Sequence, residues 1–132
     1  MSADTASLVL LAPREDVWSF LAEPYHLSDW WPSITGIEPD RRGFAPGARW
    51  KVRSWKKNVF TGRRFTESMV LIREIDLYER WKWHLLEPAT DVEVRLRSVG
   101  PDRTEVTVTS SRRNAELAVK RLYDLIQTAA EM

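Results

Sequence analysis

Two hydrophobic periods divide the chain. Between residues 49 and 111 apolar and polar side chains alternate, the period of strands with one covered face. Residues 49–55 set Trp50, Val52 and Ser54 against Lys51, Arg53 and Trp55. Residues 80–86 set Trp81, Trp83 and Leu85 against Lys82, His84 and Leu86. Residues 91–99 set Val92, Val94 and Leu96 against Glu93, Arg95 and Arg97, and residues 104–111 set Val106 and Val108 against Glu105, Thr107 and Thr109. Residues 65–75 read as a long strand and 34–40 as a weak one. Turn-rich pieces at 41–47, 58–62, 76–79, 87–90 and 100–103 separate them. From residue 114 the period lengthens: Ala115, Ala118, Leu122, Leu125, Ile126 and Ala129 recur at steps of mostly three and four, which predicts an amphipathic helix over 114–131. At 1.5 Å per residue it is a rod of roughly 27 Å, long enough to cross a whole sheet.

Ahead of residue 34 the pattern is shorter-ranged. Residues 7–12 are a β-rich run that stops at Pro13, and Pro13, Glu15 and Asp16 favour a helix start. Val17, Phe20 and Leu21 make its apolar face and Pro24 closes it. Residues 25–31 predict a second short helix, with Leu27, Trp30 and Trp31 apolar and Pro32 as the stop. The order is therefore β-α-α-β6-α. Short turns make consecutive strands antiparallel, and one-sided alternation leaves one dry face needing a cover. The fold class is α+β, a curved antiparallel sheet of about seven strands wrapped around a long C-terminal helix, with residues 1–132 as one domain.

Composition adds three constraints. The absence of cysteine excludes disulfides, thiolate metal sites and a cysteine nucleophile, and suits a reducing cytoplasm, the expected location. No secretory leader and no 18-residue apolar segment is read. The net charge of +1 conceals an asymmetry: residues 14–40 carry six acids and one arginine, whereas 41–64 carry nine cations and no acid. This basic stretch, interleaved with Phe44, Trp50, Trp55 and Phe60, reads either as a solvated hairpin paired with the acidic first third or as the contact for an anionic partner. Nucleic acid is not the expected one.

The element order, the run Leu8-Val9-Leu10-Leu11-Ala12-Pro13-Arg14-Glu15-Asp16-Val17-Trp18 and the closing Leu27-Ser28-Asp29-Trp30-Trp31-Pro32 resemble the START-like, or helix-grip (SRPBCC), superfamily. Within it, the resemblance is to the polyketide cyclase/dehydrase and Hsp90-ATPase-activator-homologue branches. It covers essentially the whole chain, and implies the fold rather than one function, since the superfamily includes lipid carriers, receptors, aromatases, cyclases and stress proteins. Residues 43–47 depart from the glycine-rich loop of the plant pathogenesis-related branch.

Trp30, Trp50, Val52, Trp81, Trp83, Val94, Val108, Ala118, Leu122 and Ile126 are expected to border a cavity between sheet and C-terminal helix, widest beside the helix's alanines. The aliphatic members equally suit plain sheet packing, and the tryptophans suit core or pocket. For acid–base work the candidates are His26 and Asp29, three apart on the second short helix, and Arg73 on the long strand. Surface solvation accounts for all three as well. No metal and no cofactor are expected, and nucleophile-elbow, dinucleotide, P-loop and zincin motifs are missing from the sequence. Three functions follow: binding of a hydrophobic or aromatic small molecule, a cyclase/aromatase or dehydratase in the same cavity, and a chaperone-activator-like interaction module.

Overall fold

The computed structural model describes residues 4–58, 62–87 and 89–131, with side chains described outside 55–65 and 128–131. Seven strands form one antiparallel sheet: β1 (Asp4–Leu10), β2 (Ile34–Glu38), β3 (Arg49–Asn58), β4 (Gly62–Asp76), β5 (Arg80–Leu85), β6 (Thr90–Gly100) and β7 (Arg103–Ser110). Their lateral order is β1-β7-β6-β5-β4-β3-β2. The helices are α1 (Arg14–Ala22), α2 (Leu27–Trp30), preceded by the 3-10 turn Pro24–His26, and α3 (Ala115–Glu131). The α+β architecture expected from the hydrophobic pattern, and the helix-grip arrangement that the resemblance implies, are the ones observed. Strands β3 and β4 run longer than the alternation suggested, and β1 starts earlier. The turn expected over 58–62 contains residues 59–61, which lie outside the described residues.

The lateral order explains why the helices sit where they do. β1 and β2 are opposite edges of the sheet, so the chain between them must cross all seven strands, six gaps of about 4.8 Å or ~29 Å in total. That crossing is α1, the 3-10 turn and α2, and it lies over the apolar face. Bulges at Ile34/Gly36, Ile72/Glu74 and Ser98/Gly100 interrupt the register of β2, β4 and β6, and such interruptions bend strands and sharpen the twist. The covered face is the one that alternation indicated. Trp50, Val52, Val70, Ile72, Trp81, Trp83, Leu85, Val92, Val94, Leu96, Val106 and Val108 are all buried.

α3 packs against β1, β7 and α2. Ala115, Ala118, Val119, Leu122 and Ile126 form its buried stripe. Small side chains near the start let this helix approach the two strands closely. Its first turn is capped from the other end of the chain, since the Ala115 amide donates to the Asp4 carboxylate at 3.0 Å. Asn114, just ahead of it, has φ 109°, a left-handed value that asparagine tolerates better than most residues.

Candidate functional site

The part of the concave face that α3 leaves uncovered is aromatic. Trp81 and Trp83 point inward from β5, Trp50 from β3, and Trp30 and Trp31 descend onto them from the end of α2. Trp31 and Trp83 meet edge to face at 5.0 Å between ring centroids, Trp81 and Trp83 lie 5.8 Å apart, and Trp30 stands 6.2 Å from Trp81 and 6.5 Å from Trp83. These separations fall in the attractive range for aromatic pairs. Alternation places Trp50, Trp81 and Trp83 on the dry face and Trp30 and Trp31 on the second short helix, with the cover expected from α3. Here α2 and the loop between β2 and β3 do the covering, because the crossing from one sheet edge to the other has to pass over β5 and β3.

That loop, residues 39–48, contains the start of the basic stretch 41–64, and its aromatic residue is a core contact. Phe44 is half-buried, and its ring sits 5.0 Å from Trp81, 5.6 Å from Trp18 of α1 and 6.4 Å from Trp50. Three anchors hold the loop. The Trp50 indole N–H donates to the Gly43 carbonyl at 2.7 Å, the Gly47 amide donates to the Ile72 carbonyl at 2.9 Å, and the Asp40 carboxylate accepts the Arg42 and Arg49 amides at 3.0 and 2.9 Å. Gly43 and Gly47 carry φ of +61° and +87°, so both bends use conformations that other residues enter only under strain. The bond from the Arg49 amide, with those from Arg42 and Gly43, holds the Asp40 carboxyl below its ordinary value against the opposing effect of burial. Trp18 also meets Tyr78 at 6.2 Å, and Tyr78 has φ 64° in the β4–β5 turn.

The polar inventory of this interior is short. Among the described residues, the buried polar side chains are Ser54, Thr90, Thr104 and Ser110, with no buried carboxylate, histidine, lysine or arginine beside them. The Thr104 hydroxyl donates to the Ala12 carbonyl at 2.8 Å. The indole N–H groups of Trp30, Trp81 and Trp83 are buried without an acceptor.

The residues singled out for acid–base chemistry are placed away from that interior. His26 Nδ1 hydrogen-bonds the Phe20 carbonyl oxygen at 2.8 Å, and its ring stacks on Phe20 at 4.1 Å, so the imidazole ties the 3-10 turn to the end of α1. Asp29 is exposed, as is Arg73 beside the bulge in β4. Among the residues expected to border a cavity, Trp30, Trp50, Trp81 and Trp83 come together in the aromatic cluster. Val94 and Val108 pair across β6 and β7, and Ala118, Leu122 and Ile126 lie in the stripe of α3. Ala115 and Ala118 are fully buried, and the side chain of Ala129 lies outside the described residues. Among the described residues no group of three or more potential metal ligands converges. No helix is long and apolar enough to cross a membrane among the described residues.

Three surface depressions of about 610, 660 and 400 Å³ are bordered by described residues, and none of the three is bordered by a tryptophan or by Ala118. The first lies over β2, β3 and β4 and includes Val52, Met69 and Leu86 among Glu38, Lys51, Arg53, Glu67 and Glu87. The second carries the sheet's ion-pair network. Arg80 bridges Glu74 at 3.0 Å and Asp76 at 2.9 Å, Arg97 bridges Glu105 at 3.0 Å, and Arg95 bridges Glu93. Burial raises the Glu93 carboxyl, but Arg95 and Lys82 outweigh it and hold the group below its ordinary value. Among the described residues, the ion pairs join β4, β5, β6, β7 and one turn of α3, and none uses Arg41, Arg42, Arg49, Lys51 or Arg53; the side chains of Lys56, Lys57, Arg63 and Arg64 lie outside the described residues.

Residues 11–129 match the family model of the Activator of Hsp90 ATPase homolog 1-like proteins. No curated protein matches the sequence significantly. Among solved structures, a protein of Nitrosomonas europaea is similar at a TM-score of 0.73 with 16% identity, over 98% of this chain and 97% of that one. The di-domain ARO/CYC StfQ of the steffimycin biosynthetic pathway gives 0.70 and 17% over 97% of this chain and 46% of StfQ. A norcoclaurine synthase of Thalictrum flavum, solved with a transition-state analogue, gives 0.64 and 15% over 98% and 99%. Identities this low carry the fold and nothing finer.

Proposed function

The chain belongs to the Activator of Hsp90 ATPase homolog 1-like protein family, and from that premise we propose that it binds a hydrophobic or aromatic small molecule against the tryptophan wall of its concave face. The observation that carries this reading is Phe44. A half-buried phenyl ring on a loop with two left-handed glycines fills the space in front of Trp50 and Trp81. A flat ligand of similar chemistry can take that place when the loop lifts. The site then lies between the sheet and the α1–α2 crossing, beside α3 rather than under it. Binding is favoured over acid–base catalysis because the buried described residues supply hydroxyls and indoles but no ionisable side chain. Cyclisation, which the name of one structural neighbour suggests, would need such a group to enter with the ligand.

Native mass spectrometry and tryptophan fluorescence across a panel of lipids and aromatic polyketides test the reading. Retained adducts with a fluorescence change support it; ligand-free spectra and unaltered emission throughout sink it.

A second reading rests on the β3–β4 arm. Its register sets Lys56 opposite Arg64 and Lys57 opposite Arg63, four cationic residues on one arm that an anionic surface would complement. The family name suggests a chaperone ATPase as that surface. Stimulation of Hsp90 ATPase turnover by this chain, lost on charge reversal at Lys56 and Lys57, is the expected result; an unchanged turnover removes this reading.

A further inference from the structure

We infer that the ligand of the concave face is an uncharged, ring-containing molecule rich in hydrogen-bond acceptors, a conclusion that rests on the binding reading above. The ground is the donor set. Trp30, Trp81 and Trp83 are 0, 1 and 1% exposed, their rings lie within 6.5 Å of one another, and each indole N–H lacks an acceptor. An indole nitrogen can only donate, and buried donors in native proteins are almost always paired. Trp50 shows the ordinary outcome, since its N–H finds the Gly43 carbonyl at 2.7 Å. The rings around the other three carry no oxygen, and a π face is a much weaker acceptor. Three orphaned donors, two on β5 and one on α2 packed over it, thus ask for oxygens that the chain itself does not bring.

The same wall decides the ligand's charge. A hydrocarbon would leave all three donors unpaired. A carboxylate or phosphate would supply oxygens, but also a charge facing no buried cation among the described residues, and desolvating it uncompensated is far more costly than a missing hydrogen bond. Carbonyl and ether oxygens on a flat ring system satisfy the N–H groups without bringing charge, and the ring stacks where Phe44 now lies.

Three bicyclic probes of similar shape separate these cases: chromone, naphthalene and 2-naphthoate. Each is titrated into the full chain labelled with nitrogen-15, with calorimetry for affinity and the cross-peaks of the seven indoles for location. Chromone is expected to bind about tenfold more tightly than naphthalene, equivalent to about 1.4 kcal/mol. It should also bind at least about tenfold more tightly than 2-naphthoate, and should move the Trp30, Trp81 and Trp83 indole protons downfield. Naphthalene binding as well as chromone, or 2-naphthoate binding best, overturns the ligand class and leaves interior binding standing. Silence from all three probes overturns the class if the lipid and polyketide panel is positive, and overturns both readings if that panel is silent too.

Discussion

Replacing Phe44 by alanine separates a plug from a wall. Phenylalanine to alanine in a closed core costs about 3–5 kcal/mol, and a ring that stays partly exposed forfeits less, so the folded state should lose at least about 2 kcal/mol. If lifting the intact ring costs the same ~2 kcal/mol, only about 3% of molecules present an open site, and apparent affinity is reduced in proportion. Phe44→Ala removes that restriction, so affinity for a flat aromatic ligand should rise by up to ~30-fold while stability falls. Urea unfolding followed by tryptophan fluorescence should show a midpoint about 1 M lower, taking a slope of about 2 kcal/mol per molar. Calorimetry with the best ligand of the panel gives the affinity. A stability loss with unchanged or weaker binding would show that Phe44 is part of the wall, and a loss under ~0.5 kcal/mol would show that the ring closes nothing.

Further outcomes follow from single contacts. Because hydrogen bonds depress the Asp40 carboxyl, its contribution is complete above the ordinary value of 3.8 and is lost as pH falls through the lower folded value. The Trp50 indole resonance should therefore shift in acid below that value, and Asp40→Asn should abolish that titration. Asp4→Ala removes the carboxylate that caps α3 and should cost about 1 kcal/mol, read by denaturant unfolding, whereas Asp4→Asn should recover most of it. Asp29→Ala and Arg73→Ala, at exposed positions, should each alter stability by less than ~0.5 kcal/mol and leave ligand affinity unchanged. A large loss of affinity in either variant would return that residue to the site.

Strand alternation and the spacing of Ala115, Ala118, Leu122 and Ile126 made the architecture legible, because a period of two or of three to four is written locally and burial obeys it. The site was legible only in composition. Trp50, Trp81 and Trp83 declared their face through alternation, but Trp18, Trp31 and Phe44 owe their places to the crossing of the sheet by residues 11–33 and the return of a loop, which no local period encodes. Phe44 sits among arginines in sequence and among tryptophans in space. The Asp4 cap acts across 111 positions, and His26 spends its imidazole on a backbone carbonyl that its neighbours in sequence do not announce.

The pairing of β1 with β7 has a consequence in time. Leu10 leaves the ribosome about a hundred residues before the β7 register that runs from Leu10↔Thr104 to Asp4↔Ser110 can close. At about 5–20 residues per second, β1 waits roughly 5–20 s for its neighbour. The aromatic cluster is under no such delay, since Trp18, Trp30, Trp31, Phe44, Trp50, Trp81 and Trp83 have all been made by residue 83. Synthesis thus delivers the tryptophan wall with its own plug first, and the last-made quarter of the chain, β7 and α3, later secures the first-made strand.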